Sequence, residues 1–247
     1  MAEVIGQVHS IETLGGLDGP GLRCVVFLQG CPLRCQYCHN PDTWPRTGGQ
    51  TLTPSDILSR IERCRPYFGE DGGVTLSGGE PLWQPRFAAH ILAECHEAGI
   101  HTAVDTSGSC STGALEKVLP WTDLVLLDIK DARPPRYREL TGGTLAEVVR
   151  SLDRLTEADV PTWIRQVVVP GWNDTFEQMR ELADLLRNRQ NIERVELLPY
   201  HRMAEEKWQA MQLPAAFGDT PSADPAQVRE LQKTVERMRR PQPLSTL

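Results

Sequence analysis

Three thiols are packed into one short run, Cys31-Pro-Leu-Arg-Cys35-Gln-Tyr-Cys38-His39-Asn40, with the spacing C-x-x-x-C-x-x-C. Thiolates are soft ligands that suit zinc, copper(I) and iron–sulfur clusters. Ligand number discriminates among these. A structural zinc site normally closes with four ligands, and only three cysteines cluster here. A 4Fe–4S cubane has four iron corners and usually four cysteines. Held by Cys31, Cys35 and Cys38 alone, it keeps one iron open to a substrate. A zinc loop with His39 as fourth ligand, or three unrelated thiols, are the competing readings. Cys24, Cys64, Cys95 and Cys110 are scattered and read as small core residues.

The thiol run follows an apolar stretch, so it belongs on a loop at the end of a strand. Six apolar segments rich in β-branched residues can be picked out: 23–30, 74–77, 101–105, 123–130, 162–169 and 194–199. Residues 4–10 add a short strand. Helical patterns lie between them. Thr53-Pro-Ser-Asp56 predicts a capped start with proline at the first position, followed by Ile57, Leu58, Ile61 and Cys64 on one face. Phe87, Ile91, Leu92 and Cys95 form another face, ended by Gly99. A short helix is expected around 114–119. Thr144-x-x-Glu147 and Asp174-x-x-Glu177 are cap-and-acid pairs opening two more helices, and Asp224-Pro225 opens the last. Strands alternating with helices imply parallel pairing and right-handed crossovers. Six units predict a partial (β/α)6 barrel, with an open doubly wound sheet as the alternative. The polar segment 203–223 reads as a surface loop or insertion.

In parallel barrels ligands bind at the C-terminal ends of the strands, so the residues after each strand should converge. These are Ser77-Gly78-Gly79-Glu80, Asp105-Thr106-Ser107, Asp128-Ile129-Lys130, Val169-Pro170-Gly171-Trp172-Asn173 and Pro199-Tyr200-His201. Before the thiol run stands Asp18-Gly-Pro-Gly-Leu-Arg23, whose glycines mark a tight turn or a close approach.

Composition bounds the rest. The 247 residues suit one large domain, with 40% hydrophobic and 24% charged residues, ordinary for a globular protein. A net charge of −7 without a basic block argues against nucleic acid as the main partner. The first residues carry no signal pattern, and no apolar run approaches the ~20 residues of a membrane span. A cytoplasmic location is the expectation.

The thiol run resembles the signature of the radical SAM superfamily. In that family the open iron of a 4Fe–4S cluster binds S-adenosylmethionine (SAM) through its amino and carboxylate groups, on a partial barrel. The resemblance implies that Cys31, Cys35 and Cys38 hold the cluster. Ser-Gly-Gly-Glu resembles the motif that holds the SAM amino group. The implied SAM contacts are Tyr37, Cys38, His39, Gly78, Gly79, Glu80, Asp128, Ile129, Lys130, Arg165 and His201. In them Glu80 pairs with the ammonium, Lys130, Arg165 or His201 meets the carboxylate, and Tyr37 and His39 flank the adenine. No side-chain acid or base is required.

A narrower likeness covers nearly the whole chain. Asp-Gly-Pro-Gly-x-Arg23, Tyr-Cys-His-Asn-x-Asp-Thr-Trp44, Trp-Ile-Arg165-x-Val-Val-Val-Pro-Gly-Trp172 and Glu-Leu-Leu-Pro-Tyr-His201 resemble the glycyl-radical-enzyme activases, in their pyruvate formate-lyase branch. Residues 39–77 contain only Cys64, so the extra cysteine clusters of other activases are absent. The implied reaction is abstraction of a glycine α-hydrogen on a partner enzyme. A flavodoxin or ferredoxin donor, a monomeric state, a partner peptide near Asp18 and Asn40, and a monovalent cation at Asp105, Thr106 and Asp128 come with the resemblance. Residues 214–223 match no family feature.

Overall fold

The structure is a computed structural model and describes residues 4–214 and 216–240. The chain enters through β1 (Gly6–Gly15), which returns antiparallel along β2 (Arg23–Leu28). A short β3 (Gln50–Leu52) pairs antiparallel with the outer side of β1. Helix–strand units follow: α1 (Pro54–Cys64) and β4 (Gly73–Gly78), α2 (Pro85–Glu97) and β5 (His101–Thr106), α3 (Thr112–Val118) and β6 (Leu124–Asp128). Next come α4 (Pro134–Thr141), α5 (Leu145–Glu157) and β7 (Thr162–Val168), then α6 (Phe176–Leu186) and β8 (Ile192–Pro199). The chain closes with α7 (Glu205–Ala210) and α8 (Pro225–Arg239).

All eight strands form one sheet, ordered β3-β1-β2-β4-β5-β6-β7-β8. The neighbours from β2 to β8 are parallel. The six expected strands are therefore the six parallel ones, and the partial-barrel expectation holds. Two antiparallel strands extend it, because β1 runs longer than the predicted 4–10 and β3 has no apolar signal. The sheet stays open, with β3 and β8 as edges. At the β8 edge the backbone N–H groups of Val195 and Leu197 donate to Glu236 and Gln232 of α8, at 3.1 and 3.0 Å. Side chains one helical turn apart thus occupy an edge that would otherwise be open to pairing.

Strand alternation divides the sheet into two faces. Val74, Leu76, Val104, Val125, Leu127 and Ile164 join the helices in the main core. On the opposite face Ala103, Leu124 and Leu126 form a small second cluster with Trp163. Ser77, Asp105, Asp128 and Arg165 lie on that same face, nearer the strand C-termini, and line a cavity.

Local signals were met unevenly. Thr53 and Asp56 make the expected reciprocal cap, at 3.2 and 2.8 Å, an arrangement in which the capping side chain contributes about 1 kcal/mol. The cap of α6 falls on Thr175 with Gln178 instead of Asp174 with Glu177, because the first helical residue is Phe176. Thr144 occupies the cap position of α5 but its side chain makes no capping bond. Helix α4 was not anticipated. Two prolines open it, and only Tyr137, Leu140 and Thr141 are buried before Gly142 ends it at φ 73°. Segment 203–223 is not simply a surface loop: it contains α7 and buries Trp208, Phe217 and Ala223.

Candidate functional site: a thiol-lined cavity at the strand ends

A cavity of about 240 Å³ opens at the C-terminal ends of the parallel strands. Cys31, Cys35 and Cys38 share its wall with Gly78, Gly79, Asp105, Thr106, Asp128, Lys130 and Arg165. Tyr37, His39, Asn40 and Asp18 also line it. Residues separated by more than a hundred positions in the chain thus meet at one rim.

The thiol loop is held by backbone bonds on two sides. Gly30 N–H donates to Thr43 O at 2.7 Å and Cys31 N–H to Trp44 O at 3.3 Å. Arg34 and Gln36 donate their N–H groups to Thr141 O and Leu140 O at the end of α4, at 2.8 and 2.9 Å. None of the three thiols is in a disulfide. Burial raises the pKa of all three: Cys35 is pushed up to about 12 despite Lys130 nearby, and Cys31 is raised further by the Glu80 carboxylate. A metal that binds a thiol takes the place of its proton.

Gly78 and Gly79 explain how strand β4 comes so close to this loop. A Cβ on Gly78 would stand 2.3 Å from Leu28 N, and one on Gly79 would stand 2.4 Å from Gly30 O. Gly79 and Glu80 instead donate their N–H groups to Leu28 O and Gly30 O, at 2.9 and 2.8 Å. The glycine pair therefore serves backbone packing as well as the cavity wall.

Glu80 is placed differently from the sequence expectation. It is fully buried and absent from the cavity wall. Its carboxylate accepts bonds from Thr106 Oγ1 (2.7 Å), Ser107 Oγ (2.6 Å), Ser107 N (2.9 Å) and Leu82 N (3.1 Å). Burial raises its pKa, and these four donors oppose the rise. Its acceptor capacity goes to joining β4 to the end of β5. Ile129 is likewise in the outer core, its N–H bound to Arg165 O at 2.9 Å. His201 also lies off this wall, in a small adjoining cleft, with its ring stacked on His39 at 4.3 Å.

The charged rim is internally paired. Lys130 forms an ion pair with Asp128. Arg165 bonds Glu196 at 2.9 Å and reaches across to the Leu17 carbonyl. Asp105 accepts from Ser77 Oγ at 2.7 Å. Burial, with the Asp128 carboxylate adding to it, lifts Asp105 to about 6. Burial also raises Asp18 against the pull of Arg165 and Arg23. Such a rim favours a ligand that brings positive charge to the acids and a carboxylate to the bases. Among the described residues the buried hydroxyl of Tyr37 has no hydrogen-bond partner, and Lys130 Nζ stands 6.0 Å from the centroid of its ring.

The donor set fits a cluster better than one metal ion. Among the described residues no three His, Cys, Asp or Glu side chains converge closely enough to hold a single ion. Cluster cysteines each bind a different iron, so their sulfurs need not converge. The His39 ring lines the same cavity and stacks on His201 at 4.3 Å. Sequence reasoning missed two contributors from α7. Trp208 Nε1 donates to Cys38 O at 2.8 Å, and Lys207 Nζ donates to Asn40 Oδ1 at 2.8 Å. The one available signal was a tryptophan in an otherwise polar stretch.

Comparison with known proteins agrees with this geometry. Residues 25–186 match the radical SAM superfamily model. The chain is 45% identical over 236 residues to the pyruvate formate-lyase-activating enzyme of Clostridium pasteurianum, covering 95% of this chain and 99% of that protein. It is 40% identical over 218 residues to the protein of the same name from Listeria monocytogenes, covering 85% and 88%. Among solved structures, a domain of a pyruvate-formate lyase-activating enzyme from Bacteroides vulgatus aligns with TM-score 0.57 and 26% identity, over 68% of this chain and 94% of that one. SuiB of Streptococcus suis bound to its precursor peptide SuiA shares the fold at TM-score 0.66 and 18% identity, over 86% and 44%.

Proposed function

The chain belongs to the radical SAM superfamily, in the family of pyruvate formate-lyase-activating enzymes, and from this we propose that it activates a glycyl-radical enzyme of the pyruvate formate-lyase type. Membership implies a 4Fe–4S cluster and SAM. The observation that carries the reading is the meeting of Cys31, Cys35 and Cys38 with the strand-end acids and bases in one cavity. A cluster held by Cys31, Cys35 and Cys38 would supply the one electron for reductive cleavage of SAM, the chemistry that would remove the glycine α-hydrogen of the partner as a hydrogen atom. Chemistry of that kind is the cofactor's, and the protein supplies position and electrostatics.

In this reading Cys31, Cys35 and Cys38 hold three irons. Lys130 and Arg165 receive the SAM carboxylate once their pairs with Asp128 and Glu196 loosen. Tyr37 and His39 flank the adenine, and Asp105, Thr106 and Asp128 offer oxygens to a monovalent cation. Glu80 acts through Thr106 and Ser107, whose placement it fixes. Asp18 and Asn40, both on the cavity wall, meet the partner's peptide. A small flavodoxin or ferredoxin delivers the electron. The enzyme works as a cytoplasmic monomer; among the described residues no helix is long and apolar enough to cross a membrane.

The test is anaerobic reconstitution followed by metal analysis and EPR of the reduced protein with and without SAM. The expected result is about four irons per chain, a cluster signal that shifts on adding SAM, and 5′-deoxyadenosine with a partner glycyl radical. One zinc per chain, or a signal indifferent to SAM, overturns the reading.

A further inference from the structure

We propose that α7 clamps the thiol loop, with Trp208 and Lys207 as positioning residues for its C-terminal arm, Cys38 to Asp42. The inference rests on the cluster reading above. The first half of the loop is tied to the end of α4 through Arg34 and Gln36. The second half reaches α7. There the Trp208 indole N–H donates to Cys38 O at 2.8 Å, and its ring meets Trp44 edge-on at 5.4 Å. Lys207 donates to Asn40 Oδ1 at 2.8 Å and pairs with Asp42 Oδ2 at 3.2 Å, and His9 Nε2 meets the same Asp42 oxygen at 3.0 Å.

Helix α7 has only six residues, too few to be stable alone. Its place must come from its contacts, and Trp208 is its one buried side chain. The bond from Trp208 ends on the carbonyl of Cys38, a residue of the cavity wall. Groups that bond to a metal ligand orient it, and hydrogen bonding and solvent access set the behaviour of an iron–sulfur centre. The same helix holds Asn40, on the wall where a partner peptide would enter. Segment 203–223 thereby acquires a role that its composition did not announce.

The test compares wild type with Trp208→Phe, which keeps the ring and loses the donor, and with Lys207→Met. In reconstituted protein, a chelator should strip iron about 10-fold faster from W208F, and the EPR line shape of the reduced protein should change. In the metal-free protein, Cys38 should be alkylated faster in both variants, while buried Cys24 and Cys95 keep their wild-type rates. If W208F does not fold, faster alkylation of Cys38 in K207M alone carries the test. Wild-type iron loss, line shape and Cys38 alkylation in the variants overturn the clamp. So does a rise at Cys24 and Cys95 equal to that at Cys38, since this reports general loosening. A wild-type protein that binds no iron defeats the cluster reading instead, while the alkylation arm still reports on the clamp.

Discussion

Toward their C-terminal ends, the two faces of the same parallel strands differ in chemistry. Toward the helices, Val74, Leu76, Val104, Val125, Leu127 and Ile164 are almost fully buried and wholly apolar. Toward the barrel interior, the same strands present Thr75, Ser77, Asp105, Asp128 and Arg165. Low in the interior, Arg23 is fully buried and its guanidinium donates to Thr75 Oγ1 (2.5 Å), Val74 O (2.6 Å), His101 O (3.2 Å) and Pro20 O (3.1 Å). Burial still lowers its pKa to about 10. The outer face holds the fold together, and the inner face spends part of that stability on groups that would be cheaper in water. One strand can do both because its side chains alternate.

That contrast can be broken at several points. The largest effect is expected on the inner side. Cys35→Ser should leave the protein folded, with SAM cleavage at background and no cluster EPR signal. Retained SAM cleavage would sink the assignment of the thiol loop. On the outer side, Leu127→Ala should cost ~2–5 kcal/mol in urea unfolding, as buried leucine truncations do, while the folded fraction still binds iron. A loss of under about 0.5 kcal/mol would mean that the outer face is not the source of stability.

Gly79→Ala touches both faces at once, because the new Cβ would press on Gly30 O beside the thiol loop. It should lower stability by ~1–3 kcal/mol and also reduce iron retention. An iron content equal to wild type would show that the loop can shift without harm. The smallest effect belongs to His101, on the interior beside Arg23 at 3.2 Å. Burial, with the Arg23 charge adding to it, holds its imidazole below the usual histidine range. The unfolded chain therefore binds the proton more readily. Stability from this site is present above pH ~6.5 and lost as pH falls through that value toward the folded-state pKa. His101→Gln should flatten this slope in urea midpoints taken between pH 8 and 5. An unchanged slope would assign the acid sensitivity elsewhere.

Much of this was readable along the chain. A thiol run of C-x-x-x-C-x-x-C is local chemistry, and its three thiols lie within eight positions. The six parallel strands announced themselves by apolar, β-branched composition, and the rim residues by standing just after them. Helix α4 and strand β3 did not, since one is short with two opening prolines and the other is exposed. Cap positions slipped by one residue at α6, where serial polar residues offer equivalent acceptors.

What remained for the tertiary structure was the pairing of distant groups. Glu80 is next to two glycines in sequence and looks like a ligand; in space it meets Thr106 and Ser107, which consume its lone pairs. Trp208 stands 170 residues from the cysteine whose carbonyl it bonds. Residue type and spacing state which chemistry is available, because ligand softness and strand alternation are properties of a few neighbouring residues. Which polar groups stay free for that chemistry is settled only when the sheet curves and brings their competing partners into reach.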